Sequence, residues 1–280
     1  MKIKKSLLAV ALAAATVSTS VFAVPTIKNL DNPGGVSFTG FDWSSMGQAW
    51  ITGYDITSAS PHGTVDDFTL QFQASAATIS GVAAGSQTGL NSSYEYTLFA
   101  TAQETATCVA DIPSTGGTCD LAMLDLVSGT WSIYYDTNAA SFANYALGTG
   151  FTDGVLLLSG TFTSATPVFA PQGATNPGNA SVSPTLTGQV ATTNVTYINP
   201  MLSGTQASST LQFGNTIAPA WVGAAAFNGV ATGPNTNTSF QAQADANQSF
   251  TAAVPEPEGL ALAGLALAVG GIVGMRRRRD

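Results

Sequence analysis

The feature that most constrains what this chain can fold into is a two-residue alternation. Phe68-Thr69-Leu70-Gln71-Phe72-Gln73 sets Phe68, Leu70 and Phe72 on one face and polar side chains on the other, as in a strand buried on one side. Strands are also predicted over Val36 to Trp43, Trp50 to Ile56, Ser93 to Ala102, Leu121 to Leu126, Thr130 to Tyr135, Val155 to Thr163, Leu186 to Ile198, Thr210 to Phe213 and Ser239 to Ala244. Asp153-Gly154 is a strong turn signal ahead of Val155. Only Ala139 to Ala146 has a helical composition. Short strands between Gly, Asn and Ser turns predict an all-β protein, here an antiparallel β-sandwich of jelly-roll type. The Pro-, Gly- and Asn-rich run 165–184 reads as a long surface loop in preference to a linker.

The two ends differ from this body. Met1-Lys2-Ile3-Lys4-Lys5, an apolar Leu7 to Ala15 and Val21-Phe22-Ala23 make a signal peptide over 1–23, expected to be helical and cleaved after Ala23. The last stretch, 253–280, has three parts. Val254, Pro255, Glu256 and Pro257 are extended, because two prolines in three residues forbid helix. Gly259 to Met275 carries no charge; as a helix it would span roughly 25 Å, close to the ~30 Å hydrocarbon core of a bilayer. Arg276, Arg277, Arg278 and Arg279 follow, a block the positive-inside rule keeps cytoplasmic. The exported β-rich domain is then 24–252, and its polar last residues read as a spacer from the membrane.

This tail resembles the PEP-CTERM sorting signal of Gram-negative bacteria in its Pro-Glu-Pro motif, apolar helix and terminal arginines, in that order. Glu258 departs from the small or hydroxyl residue more usual after the motif. The resemblance implies an exosortase as partner, a transient inner-membrane anchor, and later residence at the cell surface or in the extracellular matrix.

Between the two ends the body keeps one base, Lys28, against thirteen acids, a formal charge of −12. Nucleic-acid binding needs a cationic footprint, so no nucleic-acid partner is expected. The acidity keeps an exported protein soluble, or lets calcium bridge it to an anionic polymer. Cys108 and Cys119 enclose Pro113, Ser114, Gly116 and Gly117. In an exported chain they are expected to form a disulfide at the tip of a hairpin between the Tyr96 and Leu124 strands.

Catalytic constellations are not evident. His62 is the single histidine and lies in the turn Ser60-Pro61-His62-Gly63, with Asp66 and Asp67 nearby; a serine hydrolase needs its histidine held and oriented. Zinc needs more His or Cys ligands than the body has. Asp42, Asp55, Asp66, Asp67, Glu95, Glu104, Asp125 and Asp136 supply carboxylates for a glycosidase pair, but no spacing singles one out. Asp66-Asp67 at a strand start could ligate calcium, and no calcium-loop repeat supports it, so the metal content is left open. The chain is therefore read as a non-enzyme without a cofactor.

Five stretches resemble the flocculation-associated group within the PEP-CTERM proteins: Phe41-Asp42-Trp43-Ser44, Tyr94-Glu95-Tyr96-Thr97, Gly129 to Asp136, Gly148 to Gly154, and Leu156-Leu157-Leu158-Ser159-Gly160. That resemblance implies a secreted, non-enzymatic protein that retains exopolysaccharide around cells and so promotes flocs and biofilm. Trp43, Tyr96, Trp131, Tyr134 and Tyr135 are expected mainly in the core; any that faced out could stack on sugars. The alternatives are a carbohydrate- or calcium-binding surface module without a matrix role, and a secreted hydrolase.

Overall fold

The computed structural model describes residues 24–110, 119–171, 183–213, 223–236 and 238–251. The expected signal segment with Ala23, and the expected sorting tail with its motif, apolar run and arginines, lie outside these residues. The stretch Val24–Ala252 is one compact unit. Among the described residues the strands are β1 (Thr26–Ile27), β2 (Val36–Ser37), β3 (Gly40–Trp43), β4 (Gln48–Thr52), β5 (Val65–Ser80), β6 (Glu95–Ala110), β7 (Leu121–Asp136) and β8 (Val155–Ala165). They continue with β9 (Val168–Pro171), β10 (Thr185–Thr193), β11 (Ile198–Asn199), β12 (Gln206–Phe213), β13 (Ala226–Phe227), β14 (Val230–Ala231) and β15 (Ser239–Thr251).

The all-β, antiparallel expectation holds, but the architecture is a closed barrel, not a sandwich. Each long strand pairs with the next along the chain, β5 to β6, β7, β8, β10 and β12. Then β12 pairs with β15, Gln206 opposite Thr251 and Phe213 opposite Ala244. Strands β3 and β4 together fill the last position: each pairs with β15 on one side and β5 on the other. The circuit has eight positions and no crossover. A jelly roll needs long connections between two sheets; here neighbours in sequence are neighbours in space, and closure removes the free edges. The strands are also longer than predicted: β5, β6 and β7 run 16 residues each. The two predicted segments at Leu121 and Thr130 are one strand.

Three further expectations change. Ala139 to Ala146 is a loop of turns, not a helix. Part of the expected loop at 165–184 is strand β9, paired with Leu121–Leu124 of β7; residues 172–182 lie outside those described. The strand predicted at Ser239 to Ala244 continues to Thr251 as β15, so the residues read as a membrane spacer belong to the strand that closes the barrel.

Eight strands leave an interior that side chains can just fill. Most inward residues are apolar: Leu70 and Phe72 from β5, Leu98 and Ala100 from β6, Trp131 and Ile133 from β7, Leu158 from β8, Leu211 from β12 and Phe250 from β15 are all buried. Large side chains meet small ones across this space. A Cβ at Gly160 would lie 2.3 Å from the Trp131 ring and 2.3 Å from the Gln189 carbonyl oxygen, and one at Gly188 3.2 Å from Trp131 Nε1. Trp131 thus occupies room that only glycine leaves.

Outward residues are mostly hydroxyls and amides, including Thr101, Gln103, Thr130, Thr161, Thr163, Thr187, Gln206, Ser208 and Asn247. This is the reverse of a lipid-spanning barrel, which turns an apolar band outward. No helix among the described residues is long and apolar enough to cross a membrane.

Candidate functional site

One end of the barrel is closed by the N-terminal segment. Ile27 and Phe38 are fully buried there with Ile198 and Leu202, on a small sheet in which β1 pairs with β2 and β11. Asp31 accepts hydrogen bonds from the Gly89 N–H (2.8 Å) and the Tyr94 hydroxyl (3.1 Å), and Tyr135 accepts one from the Leu30 N–H. Burial, then Asp31, pushes the Tyr94 hydroxyl far up, and burial raises Tyr135 to about 12. Both stay neutral and act as struts.

The opposite end carries the disulfide. Cys108 and Cys119 are bonded, fully buried and 5.7 Å apart at Cα. They join β6 to β7 at the expected hairpin; residues 111–118 between them lie outside those described. The bonded pair also anchors the preceding loop. Cys119 N–H donates to Ser58 O, Cys108 N–H to Thr64 O, and Gly63 N–H to Cys108 O. Tyr54 reaches down from that loop to pack edge-on against Phe68 at 5.3 Å. Closing so short a loop constrains the unfolded chain by roughly 2–3 kcal/mol.

His62 sits on this exposed loop with Nε2 3.1 Å from the Val109 carbonyl oxygen. Asp66 accepts the Asp55 N–H instead of orienting the histidine. A Ser-His-Asp arrangement is not assembled among the described residues. Nor does any group of three or more His, Cys, Asp or Glu gather there as a metal would require.

Two carboxyls stand apart from the solvated acids, and both lie on β6. Glu95 faces outward but is only 3% exposed, because the loop between β7 and β8 folds over it. Its Oε1 accepts the Ala143 N–H at 2.8 Å. Burial, then Asp136 and Asp153, raise its pKa to about 7 against that bond. Glu104 has the inward parity of Ala102 and Ala106, opposite Phe68 and Leu126. It is half-buried by area, yet burial alone raises it to about 7. Nine positions apart and on opposite faces of one wall, the two cannot act as a glycosidase pair. Sequence includes both among eight acids; only strand parity and the covering loop separate them from the rest.

That loop is held by Tyr145, whose hydroxyl accepts the Ser75 N–H at 2.8 Å and lies 2.9 Å from Ser75 Oγ. Beside it, Gln48 donates to Tyr145 O and accepts from Gln73, and the β13–β14 hairpin lays Phe227 against Trp50 at 5.7 Å. Gly148, with φ +69°, lets the loop pass the hairpin: a Cβ there would overlap the Ala226 carbonyl.

The open part of the wall carries a shallow groove of ≈ 360 Å³ across β6, β7 and β8. Thr101, Gln103, Ser128, Thr130 and Thr161 line it, and Gly129 leaves the Phe162 ring at its floor. Gln103 is oriented by reciprocal contacts with Thr69 Oγ1 at 3.0 and 3.2 Å. The groove thus offers hydroxyls, an amide and a phenyl surface, and no charge. Of the aromatics considered for sugar stacking, Trp43, Tyr96, Trp131 and Tyr135 are buried and only Tyr134 is half-buried on the wall. The groove itself was not foreseen, because its residues come from three strands whose register the sequence does not state.

Comparison with known proteins shows no matching family model, no matching curated protein and no matching solved structure.

Proposed function

We propose that this chain is an exported, non-enzymatic matrix protein, held transiently at the inner membrane by a PEP-CTERM tail, processed there by an exosortase, and then acting at the cell surface or in the matrix to retain exopolysaccharide in flocs or biofilm. The observation that carries the reading is the outer wall: a barrel whose outward residues are hydroxyls and amides, with an uncharged groove between Thr101 and Thr161. Such a surface exchanges hydrogen bonds with a hydrated neutral polymer at little desolvation cost, because each hydroxyl it covers finds another. The body's −12 charge disfavours direct contact with a polyanion. The disulfide suits an oxidising compartment.

Deleting the gene is expected to disperse flocs while polysaccharide continues to be made and appears in the medium. Flocs of unchanged size and polysaccharide content would contradict the proposal.

The groove favours one second reading, a neutral-carbohydrate-binding module without a matrix role. A pull-down on neutral polysaccharide, with and without chelator, separates the two: capture by a protein whose deletion leaves flocs intact favours the module, and capture lost with chelator makes calcium the bridge.

A further inference from the structure

Exposed apolar residues are not spread evenly over this barrel. Of the ten large apolar side chains that stay exposed among the described residues, six are Val24, Leu30, Val155, Leu156, Val195 and Met201. All six lie at the end closed by the N-terminal segment. Val155 opposes Tyr135 at the end of β7. Tyr135 accepts the Leu30 N–H at 3.1 Å, and its ring lies 5.4 Å from that of Tyr197. Asn194 donates to the Leu156 and Leu157 carbonyl oxygens, which brings Val195 to the start of β8. Thr26 pairs with Asn199, so Val24 and Met201 leave β1 and β11 at the same rim. Single exposed apolar residues are ordinary, but a group gathered on one rim marks a contact surface.

Two further features belong to this end. Lys28, the single base of the body, is exposed there, and its N–H donates to Tyr197 O at 2.8 Å. Strand β15 also ends there: Thr251 stands opposite Gln206, and the Phe250 N–H donates to Thr39 O. Seven residues, 252–258, separate β15 from the apolar run that begins at Gly259. Fully extended they reach at most about 25 Å. Three acids share the rim, Asp31, Asp136 and Asp153. Asp31 is held by Gly89 and Tyr94, and Asp136 by Asn138 and Ser141. The opposite end, around the disulfide, carries Asp55, Asp66, Asp67 and Asp120 and, among the described residues, no base.

Given the anchored precursor proposed above, on which this contact depends, we propose that the rim rests on the phospholipid bilayer that the apolar run enters. Its apolar side chains lie at the level of the headgroups, and Lys28 lays its stem along them and reaches lipid phosphate. The short tether keeps that end of the barrel near the surface, and the acidic disulfide end points away from it. A second copy is the poorer occupant, because bodies of charge −12 repel each other. So few apolar residues and one lysine hold a membrane only beside another anchor. Cutting the tail therefore releases the rim together with the tether.

The test places the tail-bearing chain in nanodiscs of phosphatidylcholine and phosphatidylglycerol that contain a headgroup nitroxide lipid, and reads methyl NMR signals. The methyls of Leu156, Val195 and Met201 are expected to lose most of their intensity, while those of Val65, at the disulfide end, and Val127, on the wall, keep theirs. Val195→Asp combined with Met201→Asp, both in exposed connections, should restore much of the Leu156 signal. Loss strongest at Val65, equal loss at every position, an unchanged Leu156 signal in the double variant, or a second copy found against Leu156 in place of lipid would overturn the contact and leave the anchor standing. A chain that does not co-purify with the nanodiscs would overturn the anchor itself, and the contact with it.

Discussion

Gly160→Ala is expected to be among the most damaging single substitutions in the barrel, costing more than about 3 kcal/mol. The added methyl would lie 2.3 Å from the Trp131 ring and equally close to a backbone oxygen of β10. The ring is fully buried; the backbone oxygen belongs to the β8–β10 ladder, in which Gly160 stands opposite Val190. Strand and ring must therefore shift together. Gly34→Ala is the control, because a Cβ there meets nothing within 4 Å, and its effect should stay within about 0.5 kcal/mol. Equilibrium denaturation of both variants checks this. Equal stabilities would mean that Trp131 does not occupy the glycine-lined space.

The second large effect concerns pH. Glu95 and Glu104 titrate near 7 in the folded chain, against an ordinary value of 4.5. The folded state therefore holds protons that the unfolded state has released. Stability from these groups is fully present below about pH 4.5 and is lost as pH rises through about 7. Glu104→Gln removes that loss and should stabilise the protein by about 2 kcal/mol at pH 8, a figure reduced from the full shift because the side chain is only half-buried. Glu95→Gln keeps an oxygen for the Ala143 N–H and relieves repulsion from Asp136 and Asp153; a gain of about 1–2 kcal/mol is expected at pH 8. Both variants should match wild type at pH 4. Denaturation midpoints across that range decide it, and a wild type whose stability does not fall between pH 4.5 and 8 would contradict the account.

These residues also show what the sequence could reveal. The alternation Phe68-Leu70-Phe72 is legible because its inward residues are large and its outward ones polar. The same alternation runs through β15, where the inward set includes Ala242, Ala244, Ala246 and Gln248. Alanine and glutamine carry little contrast against Gln243, Asp245 and Asn247, so only Ser239 to Ala244 reads as strand and the residues after it read as a polar tail. Closure depends on this strand meeting β3 and β4 about 200 residues earlier, a pairing with no local signal. Without it the strands read as a sandwich.

At the candidate sites the pattern is similar. The cysteine pair is legible, since oxidation is what the proposed export implies and its hairpin follows from the adjacent strands. Glu95 and Glu104 look like any surface acid until strand parity sends one inward and a loop covers the other. The groove at Thr101 and Thr161 exists only once register is set. The proposed targeting signal works the other way: the Pro-Glu-Pro motif, apolar run and arginines are read in linear order and need no tertiary structure.

The central claim is that those arginines are an address the mature protein leaves behind. Intact-mass spectrometry of the protein recovered from the medium tests it most directly. The account predicts a chain beginning at Val24, ending near Pro255-Glu256-Pro257 and containing one intact disulfide. An extracellular form that still carries Arg276 to Arg279 would contradict it.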